Sequence, residues 1–162
     1  MLISDRLRQL GIILPQPARI PPEVILPFSW VHVRGDRAWI SGHGPTESDG
    51  SFAKPLGKVG HEVNRDEAYR AARLTGLAIL SSLERELGNL DRIAAWGRVF
   101  GMVNCAPDFR DMPSVINGFS DLILEVFGAE RGQHARSAVG VASLPFNIPV
   151  EIEAEVVLGS NA

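Results

Sequence analysis

The stretch RSAVGVASLPFNIPVEIEAEVVL, residues 136–158, holds the clearest structural signal in the chain. In its last nine residues Val150, Ile152, Ala154, Val156 and Leu158 are apolar, and Glu151, Glu153 and Glu155 stand between them. Successive side chains of a strand point to opposite faces, so this period of two predicts a strand with one buried and one polar face. Three carboxylates along one face repel, which predicts that at least one of them meets a cation. Ser137–Ala142 is a second strand-like run just upstream.

Working outward, Asp111 and Pro113 open a helix in which Val115, Phe119, Leu122 and Val126 line one face, and Gly128 ends it. Ile93–Val103 predicts a strand with Gly97 and Gly101 as bulges or tight contacts. Asn64 with Glu67 three residues later resembles a capping box. From there Tyr69, Ala72, Gly76, Leu80, Leu83 and Leu87 recur at helical spacing up to Gly88. Residues 43–61 are rich in Gly, Pro, Ser and Asp and read as a long loop, of the kind that is usually functional or mobile. Ser29–Arg34 and Arg37–Gly42 are short strands joined by Gly35-Asp36, a hairpin. Residues 15–27 hold five prolines and read as an extended connector, because proline cannot donate to a ladder. Ser4 is placed to cap a short helix over 5–10 that Gly11 stops.

The order β-β-α-β-α-β-β predicts an α+β domain: a single mixed sheet with two helices packed on one face. The expected division is an N-terminal helix and proline-rich extension over 1–26 and a domain over 27–162. The other sheet face needs water or a partner, and with 45% hydrophobic residues a homo-oligomer is the economical solution.

Sixteen basic residues against nineteen acidic ones give a net charge of −3. A protein that grips phosphate backbones normally carries a basic surplus or stripe, so no nucleic-acid partner is expected. No apolar run approaches the ~20 residues of a membrane span, and Asp5, Arg6 and Arg8 interrupt the start in a way a signal peptide does not. The lone Cys105, read as a packing residue, cannot form an internal disulfide, which fits a cytoplasmic location. His32, His43, His61 and His134 are dispersed, and no phosphate loop, nucleophile elbow or zinc motif occurs, so neither a metal nor a cofactor is expected.

Arg136-Ser137, then Leu144-Pro145, then Val150-Glu151-Ile152-Glu153-Ala154 resemble the C-terminal signature of the Rid (reactive intermediate deaminase, or YjgF) family. Ile40-Ser41-Gly42 and Asn117 match further family positions in the same order, and the resemblance covers roughly residues 27–158. It implies a fold like that of small trimeric chorismate mutases: three sheets forming a barrel, helices outside, and ligand clefts between subunits. The activity it implies is hydrolysis of enamine or imine acids such as 2-aminoacrylate to 2-keto acids and ammonia. The alternative is a non-catalytic trimer that binds small carboxylate metabolites. A ribonuclease activity, also linked to relatives, sits poorly with the acidic balance.

The resemblance assigns catalysis to Arg136 and Glu151, and substrate contact to Phe28, Ser41, Gly42, Asn117 and Ala138. A guanidinium takes a carboxylate through two parallel hydrogen bonds; Arg136 fits that role, and equally a surface or intersubunit ion pair. Glu151 fits the glutamate that aligns an attacking water, and equally one member of a solvated acidic face. Asn117 is placed either to bond the edge of the site or simply to sit in its helix. Ser41 and Gly42 end a strand where a hydroxyl and backbone can meet a ligand. Phe28 falls where catalytic relatives often carry a tyrosine, and Ala138 where a cysteine is common. His43 reads as a polar loop residue.

Overall fold

The computed structural model describes residues 1–159; Ser160–Ala162, the end of the domain expected over 27–162, lie outside the described residues. Strands β1 (Val31–Arg34), β2 (Arg37–His43), β3 (Ile93–Asn104), β4 (Ala135–Val141) and β5 (Val150–Leu158) form a single sheet in the order β1-β2-β5-β3-β4. Pairings are antiparallel except β3 with β4, which is parallel. The fold is α+β with a mixed sheet, and the C-terminal strand lies at its centre.

Helices α2 (Arg65–Leu87) and α3 (Met112–Gly132) cover one face. The N terminus of α2 is held by reciprocal bonds, Glu67 N–H to Asn64 Oδ1 and Asn64 N–H to Glu67 Oε2, both 2.9 Å, so the capping box forms as the spacing predicts. Gly118 brings the two helices together: a Cβ there would lie 2.0 Å from the Tyr69 carbonyl oxygen. Gly128, at φ +74 and ψ 172, breaks the helical path of α3, and a further turn follows it to Gly132. The core between helices and sheet includes Phe119, Ile116, Leu80, Ile79, Val99 and Ile152, all fully buried.

Helix α1 spans Ile3–Gln9 with Leu2 at its N-cap position, and no side chain of its own caps it. Ser4 is therefore inside the helix. The Ile3 N–H is taken by the carboxylate of Asp91 at 3.1 and 3.3 Å, an acceptor far away in the chain that does what Ser4 was expected to do. Ile3 and Leu7 are buried in the same core cluster as the sheet. The proline-rich segment then crosses the molecule as a strap, bonded to the long loop through Gln16 N–H to Ser48 O at 2.9 Å and Arg19 N–H to Gly50 O at 2.8 Å.

Two irregularities bear on function. The pairing of β3 with β5 shifts register between Trp96 and Arg98, a bulge at Gly97. The pairing of β2 with β5 shifts between Ile40 and His43, which re-aims Ser41, Gly42 and His43 at the end of the sheet. On the uncovered face lie His32, Trp39, Arg98, Phe100, Glu153 and Glu155, lining a shallow depression. There Arg37 pairs with Glu155, the cation that the acidic alternation required.

Candidate active site

The structure sorts the expected site residues into two groups. Glu151, Gly42 and Phe28 line one cavity of ≈ 390 Å³ at the end of β2 and β5. Gly42 leaves the room in which the Glu151 side chain lies: a Cβ there would stand 2.1 Å from Glu151 Oε1. Burial, and then the neighbouring charge of Glu153, push the Glu151 carboxyl above its usual range. Ser41 is adjacent but committed, since its hydroxyl donates to the Ser29 carbonyl at 2.7 Å and ties the entry of β1 to β2.

The cavity is otherwise apolar and aromatic. Phe28 meets Trp30 edge-on at 5.5 Å, Trp30 lies 4.8 Å from the His43 ring, and Phe52 stacks on Phe146 at 4.9 Å. His43, expected in a loop, instead ends β2 and is 5% exposed. Its Nδ1 lies 2.6 Å from the Ser41 carbonyl and its Nε2 2.9 Å from Ser82 Oγ. The carbonyl only accepts, so Nδ1 carries the proton and Nε2 accepts from Ser82. Ser82 Oγ in turn accepts from Arg85 Nη2 at 3.0 Å. Burial first, then the nearby Arg85 charge, hold the His43 pKa down at about 4, against the pull of the Ser41 hydrogen bond, so the ring is neutral at pH 7.

Arg136, Asn117 and Ala138 lie elsewhere, along β4 and the face of α3. Arg136 pairs in register with Val99 of β3, whose side chain is fully buried beneath the helices, so by strand alternation Arg136 leans toward α3. Its Nη1 donates to Asn117 Oδ1 at 2.9 Å and Ser120 Oγ at 3.0 Å, and its Nη2 to the Pro113 carbonyl at 3.4 Å. Ser120 also donates to His134 Nε2 at 2.9 Å, and His134 Nδ1 donates to the Gly132 carbonyl at 2.7 Å. Burial lowers the His134 pKa, helped by the Arg136 charge, and keeps that ring neutral. Every partner of the guanidinium is neutral, and among the described residues no carboxylate pairs with it. The fork has five N–H donors, and Nε–H with one Nη2–H remain for another acceptor. Ala138 pairs with Gly101 and packs against the core, offering its backbone on an edge strand.

Within one chain these groups do not meet. Glu151 faces Met102, which faces Val139 on β4. Two strand spacings and three residues of rise put the Glu151 and Arg136 backbones about 14 Å apart. The side chains also leave opposite faces of the sheet.

Sequence reasoning missed Trp30, Thr46, Phe52, Phe146 and the strap as parts of the Glu151 cavity. A signal was present in part: Ala18 and Ile20 before the turn at residues 22–23, and Val24, Leu26, Phe28 and Trp30 after it, line the cavity at alternate positions, as extended chain does. The prolines among them obscured it. Among the described residues there is no group of His, Cys, Asp and Glu able to hold a metal, and no helix is long and apolar enough to cross a membrane.

Comparison with known proteins places this geometry in a family. Residues 11–153 match the family model described as "YjgF/chorismate_mutase-like, putative endoribonuclease". Protein TCP17 of Trypanosoma cruzi is 38% identical over 158 residues, spanning 98% of this chain and 95% of that one. The crystal structure of Atu1372 from Agrobacterium tumefaciens, a protein of unknown function, is 39% identical with a TM-score of 0.85, over 97% of this chain and 92% of that one. A Shewanella oneidensis protein described as "a putative endoribonuclease" is 27% identical with a TM-score of 0.88, over 98% of this chain and all of the other. The serine-bound Escherichia coli TdcF, 20% identical with a TM-score of 0.58 over 91% of this chain and 98% of that one, shares the fold. The chain belongs to the YjgF/chorismate mutase-like family.

Proposed function

We propose that this protein is a cytoplasmic homotrimeric deaminase that hydrolyses 2-imino acids to 2-keto acids and ammonia, in clefts between neighbouring subunits. The observation that carries the reading is Arg136: a half-buried guanidinium braced by Asn117, Ser120 and a carbonyl, with no acid beside it among the described residues. A cation held rigid by neutral partners keeps its remaining donors for a carboxylate. In a cleft shared by two copies, Arg136 of one grips the substrate carboxylate and Glu151 of the next aligns a water at the imine carbon. Backbone groups near Gly42 and Ala138 border the substrate.

Water adds to the carbon while the C=N electron pair moves to nitrogen, which takes up a proton. The carbinolamine then breaks its C–N bond, ammonia leaves and the carbonyl forms. The burial that raises the Glu151 carboxyl makes it a stronger base, nearer the pKa a general base needs at neutral pH. Imines already hydrolyse in water, so positioning and one acid–base contact, worth roughly 10²–10⁴-fold, suffice.

A non-catalytic carboxylate-binding trimer is the second reading. Phe28 favours it, since its ring packs on Trp30 and supplies no hydroxyl to orient a water. Ammonia release during generation of 2-aminoacrylate in situ separates the two. The expected result is acceleration over the spontaneous rate that falls roughly 10–100-fold in kcat/KM for Arg136→Ala, the worth of a charged hydrogen-bonded contact. Binding of the keto acid without acceleration would establish the second reading; equal activity of wild type and Arg136→Ala would end the proposed role of Arg136.

A further inference from the structure

The cavity beside Glu151 is far larger than the methylene of 2-aminoacrylate needs. Its ≈ 390 Å³ is bounded by the strap on one side and by Phe52, Phe146 and Ile148 on the other. An apolar cavity of about 150 Å³ already accepts benzene. Its ionisable groups are Glu151, set at the reacting carbon, and the buried, neutral His43, so apart from Glu151 its walls present no charge to a substrate side chain. The Thr46 hydroxyl in its wall is 3% exposed and has no hydrogen-bond partner among the described residues.

The wall is also built at a cost. Phe146 at φ 56, ψ 18 and Asn147 at φ 56 occupy the left-handed region, an unfavourable conformation for a bulky aromatic residue. Surrounding bonds hold them there: Gly57 N–H to the Asn147 carbonyl at 2.8 Å, and buried Asn104 Nδ2 to Asn147 Oδ1 at 3.3 Å. The result is an aromatic ring set at the cavity rim against Phe52.

We infer that the preferred substrates are 2-imino acids with a branched aliphatic or aromatic side chain, which fills the cavity between the strap and Phe146 while the imine carbon lies at Glu151. This rests on the deaminase reading above. The strap thereby acts as a specificity element: it walls a subsite that the sheet and helices alone leave open. Burying three more carbons than a methyl group is worth roughly 50-fold in kcat/KM.

The test generates imines from alanine, leucine and phenylalanine with an amino-acid oxidase and follows their loss in the presence of the intact protein. The expected ratio of kcat/KM over the alanine imine is roughly 50 for the leucine imine, with three added carbons, and larger for the phenylalanine imine, both falling toward one in Ala18→Phe, which fills the cavity. Val24→Trp, at a position 38% exposed, gives the same readout should the first variant not fold. Equal rates on all three imines, or a ratio that neither variant changes, overturn the inference. Calorimetric binding of pyruvate, 4-methyl-2-oxopentanoate and phenylpyruvate gives an independent arm. Should no imine be turned over, the deaminase reading falls, and binding decides alone: tighter capture of the two larger acids, lost in the variants, upholds the apolar subsite, and equal affinities for all three overturn it.

Discussion

At the scale of single residues, His43 links the cavity to the protein's response to acid. Unfolded, its imidazole takes up a proton near pH 6.5; folded, it does so only near pH 4. Between these values the unfolded chain binds more protons, so stability falls as the medium acidifies. The contribution is complete above pH 6.5, declines through the interval, and is lost by pH 4, a difference of about 3 kcal/mol. Urea midpoints measured from pH 7.5 to 4.5 should show this slope, and His43→Gln should flatten it; an unchanged slope would mean that other groups carry the acid response. His43 also marks the limit of reading residues singly. Its type and neighbours resemble those of a loop histidine, yet its ring packs beside Trp30 and bonds to Ser82, thirty-nine positions away. Arg136 and Glu151 lie in a contiguous stretch whose resemblance points to them, but the bonds from Arg136 to Asn117 and Ser120 depend on how α3 docks beside β4.

Elements were legible where their signals are local. Asn64, Glu67 and Gly88 bound α2 because caps are decided within one turn. The start of α1 was misread because its cap is Asp91, contributed through tertiary docking. The contact between α2 and α3 gives a prediction at this scale. In Gly118→Ala, the gain in helix propensity is at most about 1 kcal/mol. Against it stands a new Cβ placed 2.0 Å from the Tyr69 carbonyl oxygen, which is backbone and cannot rotate away. Overpacking of this kind costs roughly 1–3 kcal/mol or more, so the steric term wins and a net loss of about 2 kcal/mol is expected in chemical denaturation. A variant as stable as wild type would show that the helices are free to slide apart at this point.

For the whole molecule, the uncovered sheet face and the divided site point the same way. Trp39, 42% exposed, lies on that face beside Arg98, Phe100 and Glu153, a mixed apolar and charged surface suited to a second copy. One chain alone holds Arg136 and Glu151 about 14 Å apart and on opposite sides of the sheet, whereas a ring of copies can bring the β4–α3 edge of one to the cavity of the next. This predicts complementation. Arg136→Ala and Glu151→Gln chains are each expected to keep no more than about a tenth of wild-type activity as pure proteins, because every cleft then lacks one member. Unfolded together in equal amounts and refolded, the two chains associate at random. A cleft recovers both groups when a chain that retains Arg136 precedes one that retains Glu151, so about a quarter of wild-type activity returns in a cyclic oligomer. Were each cleft built within a single chain, every one would still lack a group, and co-refolding would yield no more than the mean of the two impaired variants. Light scattering on the same samples separates this outcome from failed association: activity must appear in the oligomeric fraction, and an active monomer would exclude the shared cleft.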